Sequence, residues 1–142
     1  MEYQAKFQAA AEGGFVVEFP DFGWGVTQGG CEEEALRMAH DLLVTVIGVH
    51  IKGGEEVPRP GRARGKNCRL IRLSAMHSAQ VELYQAFRAS GMRKAELARR
   101  LGIGKTVIDR LFDLGNRTRL DQMEAAFGAL GKQVVIEVRD AA

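Results

Sequence analysis

The stretch "GGFVVEFPDFGWGVTQGG", residues 13–30, decides how the first part of this chain folds. It places six glycines and four aromatic residues around a short apolar run. Glycines at this density are typical either of a loop that binds phosphate or of hairpin turns. Gly13-Gly14 joins two alternating runs, and Gly29-Gly30 precedes a helix that opens with three glutamates, which would repel phosphate. The stretch therefore predicts two hairpin corners and not a nucleotide-binding loop.

Alternating side chains around this stretch predict a small antiparallel sheet. In "EYQAKFQ", Tyr3, Ala5 and Phe7 alternate with polar residues, "FVVEF" alternates in the same way, and "GVTQ" supplies a third short strand. The following "CEEEALRMAHDLLVTVIGVHI" has apolar residues at helical spacing and three glutamates in its first turn. After a linker-like loop at residues 53–68, "CRLIRL" predicts a fourth strand that closes the sheet.

The remainder of the chain changes to a helical pattern. Four segments predict helices that end at glycines: "SAMHSAQVELYQAFRASG" with Ser74 as N-cap, "RKAELARRLG", "KTVIDRLFDLG", and "TRLDQMEAAFGALG" with Thr118 as N-cap. The last segment, "KQVVIEVR", alternates again and predicts a strand. We therefore expect an α+β chain of two domains. Residues 1–73 form a small antiparallel sheet with a helix, and residues 74–142 form an all-α domain with a terminal strand.

Composition argues against several functional classes. Cys31 and Cys68 lie in no CxxC pattern, and the three histidines form no metal-binding motif, so we expect no metal and no cofactor. The longest apolar run, near residues 42–49, is far shorter than the roughly 18 residues of a membrane helix. The N-terminus lacks the pattern of a signal peptide. We therefore expect a cytoplasmic protein that binds no membrane.

Charge is divided unevenly along the chain. Residues 1–60 hold 4 Lys and Arg against 10 Asp and Glu, a net charge of −6. Residues 61–142 hold the remaining 16 Lys and Arg against 8 Asp and Glu, a net charge of +8. An acidic first part and a basic second part favour two partners of opposite charge. Uneven surface charge without a function is the alternative.

Two short helices around "LGIG" form a helix-turn-helix pattern, in which Gly102 permits the tight turn. In a helix that enters the major groove, basic side chains reach guanine or phosphate, and Asp109 either accepts from cytosine or orients Arg110. The predicted DNA-binding residues are Arg93, Lys94, Lys105, Thr106, Asp109, Arg110, Asn116, Arg117 and Arg119. A helical packing module with a solvated basic face is the alternative.

The terminal strand predicts self-association. A strand appended to a helical domain has unpaired backbone groups, and pairing with its own copy in a second subunit satisfies them. Val134, Ile136 and Val138 alternate onto one face and are the predicted dimerisation residues. Because a two-fold dimer reads a palindromic site, we expect a homodimer, or a tetramer of two dimers, on double-stranded operator DNA.

Two blocks of the sequence together carry a family pattern. The first block, within residues 3–47, contains "GGFVVEFPD", "GVTQGG" and "EEALRMAHDLL", with "VPRP" downstream, and it resembles the HicB antitoxin family. The second block, with "ELARRLG", "IDRLF" and "ALGK", resembles the helix-turn-helix domain of many members. The resemblance covers nearly the whole chain. It implies a partial RNase H-like first domain that binds HicA, a small basic toxin that cleaves mRNA, and a second domain that represses the operon of the pair.

A steric block of such a toxin requires an acidic surface with aromatic anchors, in which buried rings supply affinity and rim charges supply association rate. Phe22 and Trp24 are expected at an exposed bend, where Trp24 either anchors the interface or caps the sheet. The predicted toxin-binding residues are Phe19, Asp21, Phe22, Trp24, Glu32, Glu33 and Glu34.

Two other functions stay open at this point. An RNase H-like nuclease holds two metal ions with carboxylates, one of them in the first strand, but here that strand offers Gln4 and Lys6, so we expect no enzyme. A one-component regulator whose first domain binds a small ligand or another protein is the second alternative. The loop also carries Arg59, Arg62 and Arg64 beyond the family's usual short connection, and these either contact DNA or keep the loop solvated.

Overall fold

The computed structural model describes residues 1–62 and 65–141; Ala63, Arg64 and Ala142 lie outside the described residues. Its elements, in chain order, are β1 (Glu2–Ala9), β2 (Phe15–Glu18), β3 (Val26–Gly29), α1 (Glu32–Lys52), β4 (Cys68–Arg72), α2 (Ala75–Ser90), α3 (Lys94–Leu101), α4 (Lys105–Phe112) and α5 (Leu120–Ala129). The chain divides into two compact units between Ser78 and Ala79, within α2 and five residues beyond the predicted division. This architecture is the predicted α+β class.

The first unit is a four-stranded antiparallel sheet in the order β3-β2-β1-β4. The predicted strand–strand–strand–helix–strand order is confirmed. Tyr3, Ala5 and Phe7 are buried as their alternation predicts, since successive side chains of a strand point to opposite faces. The helix α1 packs against the sheet and buries five residues: Ala35, Ala39, Leu43, Val46 and Ile47.

Two glycines of the opening stretch are required by close backbone packing. Gly14 has φ +75°, and a Cβ placed on it would lie 2.8 Å from Gly30 Cα. Gly29 is the last paired residue of β3, and its Cβ would lie 2.6 Å from Ala35 Cα. Both positions therefore need glycine because a backbone segment occupies the space of a side chain. Gly14 lies in the turn between the paired strands β1 and β2, as predicted, whereas Gly29 lies where β3 leads into α1.

The loop between α1 and β4 is not a free tether. Its described residues, 53–62 and 65–67, form no helix or strand, as expected of a loop. However, Val57 is fully buried, the Tyr3 hydroxyl donates to the Pro58 carbonyl at 2.8 Å, and the Gly61 amide donates to Asp21 Oδ2 at 3.0 Å. The loop is thus tied to the rest of the first unit at Val57, Pro58 and Gly61. Of the loop arginines, Arg64 lies outside the described residues.

The four predicted helices form α2 to α5, and all but the first turn of α2 belongs to the second unit. Gly91 and Gly102 follow α2 and α3 with positive φ, at +70° and +66°, because the left-handed conformation ends a helix at little cost only for glycine. The N-cap of α5 is Arg119 and not Thr118, because Thr118 precedes the first helical turn and its buried Oγ1 makes no hydrogen bond. The Ser74 prediction is confirmed, since its Oγ accepts from the His77 amide at 3.0 Å.

The terminal segment forms no strand in the single chain. Residues 132–141 make no ladder with any described strand, and Val135, Ile136 and Val138 are exposed. A strand requires a partner, so the predicted alternation cannot produce one in an isolated copy. The predicted terminal strand depends on a second copy, so in the single chain it stays a prediction.

Candidate functional site

Trp24 is the most exposed aromatic side chain of the first unit. Its ring is 45% exposed and stacks on His50, with ring centroids 6.0 Å apart and an interplanar angle of 26°. Trp24 Nε1 donates to His50 Nε2 at 3.2 Å, and His50 Nδ1 lies 3.0 Å from the Glu56 carbonyl oxygen. These contacts are satisfied together when His50 carries its proton on Nδ1. Trp24 is thus held in one orientation while it remains exposed.

A shallow cavity of about 300 Å³ lies beside Trp24. Val26, an exposed residue of the edge strand β3, forms part of its wall, and Glu18 adds a carboxylate. The lining residues are Glu18, Phe19, Pro20, Gly23, Trp24, Gly25 and Val26. A shallow recess beside a fixed aromatic ring and a carboxylate offers room for a side chain from a cationic partner.

Phe19 and Phe22 do not lie at the surface. Phe22 is 8% exposed, and its ring packs against Tyr3 and Phe19 at centroid distances of 5.3 and 6.4 Å. The amides of Phe22 and Gly23 donate to the Phe19 carbonyl, forming a turn between the two rings, both of which are buried in the core. The prediction that Phe22 lies exposed at the bend is therefore wrong, and Phe19 also belongs to the core. Asp21 accepts from the Gly61 amide and so anchors the loop.

The three glutamates at the start of α1 are exposed, but they are not equivalent. Glu32 pairs with Arg69 at 3.2 Å, and Glu33 pairs with Arg37 at 3.4 Å. Glu34 makes no ion pair within residues 1–62 and 65–141. Exposed ion pairs of this kind contribute little to stability, typically about 0–1 kcal/mol, so all three carboxylates can still face a cationic partner.

In the second unit, α3 and α4 are joined by a three-residue turn. Gly102 takes the left-handed conformation and the Ile103 amide donates to the Ala98 carbonyl at 3.0 Å, while Gly104 is the N-cap of α4. The apolar residues Leu97, Ala98, Ile108 and Leu111 are buried. The four outward positions of α4 are exposed, as predicted: Lys105, Thr106, Asp109 and Arg110.

Ion pairs divide the predicted DNA-binding cations into two groups. Lys94 Nζ lies 2.7 Å from Asp109 Oδ1, and Arg119 pairs with Asp121 at 2.6 Å. Asp109 therefore joins α4 to the start of α3, and its partner is Lys94 and not Arg110. The cations that make no ion pair in the described part of the chain, and so remain available to an anion, are Arg93, Lys105, Arg110 and Arg117. Asn116 donates from Nδ2 to Asp113 Oδ2 at 2.8 Å.

The terminal segment carries one polar pair beside its apolar residues. Arg139 Nε and Nη2 donate to the two carboxylate oxygens of Glu137 at 2.8 and 3.0 Å. This bidentate contact lowers the pKa of Glu137 and raises the pKa of Arg139. Of the predicted dimerisation residues, Val134 is half-buried, whereas Ile136 and Val138 are 66% and 90% exposed.

Among the described residues, no three His, Cys, Asp or Glu side chains come close enough together to hold a metal ion. Cys31 is exposed and Cys68 is half-buried, and neither forms a disulfide within the described residues. None of the described helices combines the length and apolar character needed to cross a membrane.

Comparison with known proteins gives a consistent family assignment. Residues 2–82 match the family described as HicB-like antitoxin of bacterial toxin–antitoxin systems. The chain is 34% identical to Antitoxin HicB 1 of Photorhabdus laumondii, over 97% of this chain and 87% of that one. It is also 34% identical to Antitoxin HicB of Escherichia coli K12, over 94% and 96% of the two chains. A solved toxin–antitoxin complex from Streptococcus pneumoniae is 32% identical, with a TM-score of 0.41, over 44% of this chain and 45% of that one.

The Photorhabdus and Escherichia relatives are both antitoxins, which indicates a regulatory and not an enzymatic role. The similarity to these relatives extends across both the sheet and the helical part of the chain. The chain belongs to the HicB-like antitoxin family of bacterial toxin–antitoxin systems.

Proposed function

We propose that this antitoxin binds a small basic HicA-type ribonuclease through its first unit and blocks it sterically. We further propose that the second unit binds operator DNA as a homodimer and represses the operon of the pair. Family membership supports the antitoxin part of this proposal. The opposite charges of the two parts of the chain, −6 for residues 1–60 and +8 for residues 61–142, support one cationic and one anionic partner.

The single observation that carries the toxin-binding proposal is the exposed, fixed ring of Trp24 beside a shallow recess lined in part by Glu18. Tryptophan is enriched at the energetic centres of protein interfaces because it buries a large area with little loss of side-chain entropy. Here the stacking on His50 has already ordered the ring in the free protein. Glu18 and Glu34 add carboxylates without a cation in the described part of the chain. These rim charges would speed encounter with a basic toxin.

Replacing Trp24 by alanine tests this surface. We expect Trp24→Ala to weaken toxin binding by about 2 kcal/mol, or roughly 30-fold, as for other interface anchors. Leu70→Ala is the matched control, because Leu70 is 58% exposed on β4, at the opposite edge of the same sheet. The measurement is titration calorimetry with the product of the adjacent gene, followed by rescue of growth when both are expressed. Equal affinities for the two variants would contradict the site, and failure of the native chain to bind or rescue would contradict the antitoxin proposal.

For DNA, we propose that α3, the turn at Gly102 and α4 act as a helix-turn-helix with α4 in the major groove. The exposed face of α4 presents Lys105, Thr106 and Arg110 to base edges. Arg93 and Arg117 carry no ion pair in the described part of the chain and suit phosphate contacts. Lys94 and Asp109 pair with each other, so their proposed role is to hold α3 and α4 together and not to read bases.

Arg110→Ala tests the recognition helix against Arg99→Ala, which removes the same charge from the same unit. Arg99 is exposed on α3 and lies 3.9 Å from Glu96. We expect Arg110→Ala to cost about 1–3 kcal/mol in operator affinity and to relax specificity at one base pair. Arg99→Ala should change affinity little at fixed salt. If Arg110 contacts only phosphate, the loss will be uniform across sequences, and the slope of log K against log salt will fall by about 0.9. Equal effects of the two variants would contradict the assignment of α4.

We also propose that the first unit is a partial RNase H-like fold without nuclease activity. The only acidic residue of β1 is Glu2, at its first position, and Arg72 holds it at 2.7 Å. A two-metal nuclease instead needs several free carboxylates on adjacent strands. We expect no Mg²⁺-dependent RNA cleavage by the purified protein. Cleavage that is lost in Asp21→Ala would overturn this expectation.

The homodimer is proposed to form through the terminal segment. Its exposed apolar side chains and unpaired backbone are the features that a second copy would cover. We expect deletion of residues 133–142 to give a monomer with much weaker operator binding, since a dimer contacts two half-sites. Sedimentation velocity measures the outcome, and a truncated chain that still sediments as a dimer would contradict this contact.

A further inference from the structure

The terminal segment is complementary to itself in one particular alignment. Residues 132–140 read Lys-Gln-Val-Val-Ile-Glu-Val-Arg-Asp, with a cation at the beginning, an anion at the end and valine or isoleucine at alternate positions between them. Gly131, with φ +73°, ends the preceding helical region, so the segment leaves the helical domain directly after it.

The contact between Glu137 and Arg139 joins two side chains that an extended segment would place on one face. These residues are two positions apart, and their side chains meet in a bidentate pair at 2.8 and 3.0 Å. Residues two apart lie on the same side of an extended chain, whereas in a helix they do not face each other. When extended, the segment places odd-numbered residues on one face and Val134, Ile136 and Val138 on the other.

Two copies cannot pair well in parallel. A symmetric parallel pair places each residue beside its own copy, so that Lys132, Glu137 and Arg139 each meet a like charge. Like charges directly opposite each other destabilise a sheet. An antiparallel pair avoids these contacts, and a two-fold axis then passes through one central pair of residues.

Four antiparallel alignments place this axis near the centre of the segment, and their pairings differ. An axis at Val135 sets Lys132 against Val138 and Gln133 against Glu137. An axis at Glu137 sets that carboxylate against its own copy. An axis at Val138 sets Ile136 against Asp140 and leaves Val134 beyond the paired region. An axis at Ile136 sets Ile136 against itself, Val134 against Val138, and Lys132 against Asp140. The last alignment alone gives an unbroken apolar face with an opposite-charge pair at each end.

We propose that residues 132–140 of two copies form an antiparallel ribbon whose two-fold axis passes through Ile136. This inference rests on the proposed homodimer and specifies its register. On the second face, Gln133 of one copy lies opposite Arg139 of the other, and its side-chain oxygen can accept from the guanidinium. The ribbon pairs the backbone groups that the single chain leaves without a ladder.

Cysteine cross-linking tests the register directly. Single variants Ile136→Cys, Glu137→Cys and Val138→Cys are prepared in full-length chains that carry Cys31→Ser and Cys68→Ser. Each is oxidised mildly and separated without reductant, after sedimentation velocity has measured its oligomeric state. Directly opposed residues in an antiparallel pair have Cα atoms about 4.5–5.5 Å apart, within the range of a disulfide. Diagonal neighbours are about 7–8 Å apart, which is too far.

We expect Ile136→Cys to cross-link at least about tenfold faster than Glu137→Cys or Val138→Cys, because only its two copies face each other directly. A second experiment leaves Ile136 unchanged and tests the pairing of Val134 with Val138. Chains with Val134→Cys and chains with Val138→Cys, carrying different tags, should form the mixed disulfide when co-expressed, whereas neither should cross-link to its own copy.

Other results would overturn the register. A dimer in which Glu137→Cys or Val138→Cys reacts fastest has a different axis, and a dimer in which no position cross-links is joined elsewhere. A native chain that sediments as a monomer would overturn the ribbon and the homodimer together. Toxin binding and growth rescue depend on the first unit, so they separate these outcomes from a failure of the antitoxin proposal.

Discussion

Replacing Gly29 by alanine tests the packing of α1 against the sheet at a single atom. An added Cβ would lie 2.6 Å from Ala35 Cα and 2.8 Å from the Glu34 carbonyl carbon. Both are backbone atoms near the start of α1, so no rotamer change can relieve the overlap. Overpacking typically costs about 1–3 kcal/mol, and we expect the upper end, about 3 kcal/mol. A unit of this size has roughly 4–12 kcal/mol of stability, so the loss is a large fraction of the total.

Gly30→Ala is the matched control for this variant. A Cβ at Gly30 meets only the flexible end of Glu34, at 3.7 Å, and the residue has no positive φ. This substitution should be neutral or stabilising by up to about 1 kcal/mol, because alanine restricts the unfolded chain. Trp24 is the only tryptophan, so its fluorescence during urea unfolding follows the first unit without contribution from the second. Stabilities of the two variants within about 0.5 kcal/mol of each other would refute the packing argument.

Three further substitutions test other features. Cys31→Ser should stabilise α1 by about 1 kcal/mol in the same urea assay. Cys31 is an N-cap without a side-chain hydrogen bond, and serine can accept from the Glu34 amide. An unchanged stability would contradict the capping argument. Gln80→Ala should lower the free energy of unfolding by about 1–3 kcal/mol, measured by circular dichroism. Gln80 is buried, and its Nε2 donates to carbonyls at and beyond the end of α4, including that of Leu111 at 3.2 Å. Val57→Ala should lower the free energy of unfolding of the first unit by about 1–2 kcal/mol, measured by tryptophan fluorescence, because Val57 is fully buried. An unchanged free energy of unfolding would contradict the packing of this loop.

Much of the fold was predictable because its determinants are local. The alternation of Tyr3, Ala5 and Phe7 depends only on the two-residue period of a strand, and it correctly identified the buried face. Helix ends were predictable where glycine follows the last turn, as at Gly91 and Gly102. The Thr118 cap was wrong because several residues near a helix start can serve as the N-cap, and the choice depends on where the chain enters the domain.

The candidate site was less predictable because its residues lie in a turn. Phe22 and Trp24 are two positions apart in one aromatic-rich loop, and no period distinguishes the buried ring from the exposed one. Trp24 is held by His50, and Asp21 is held by Gly61, both far away in sequence. The cavity beside Trp24 was not predicted at all, since it arises where the β2–β3 loop meets the edge of the sheet.

By itself, the sequence determined the order of strands and helices, the glycine corners and the division of charge between the two parts of the chain. These properties follow from periodicity, backbone freedom and composition, which neighbouring residues set without reference to distant ones. Only the tertiary structure decided that Phe19 and Phe22 are core residues, that residues 57–61 are packed, and that Lys94 engages Asp109. Burial and ion pairing depend on which distant segments meet, and that is established only when the chain has folded.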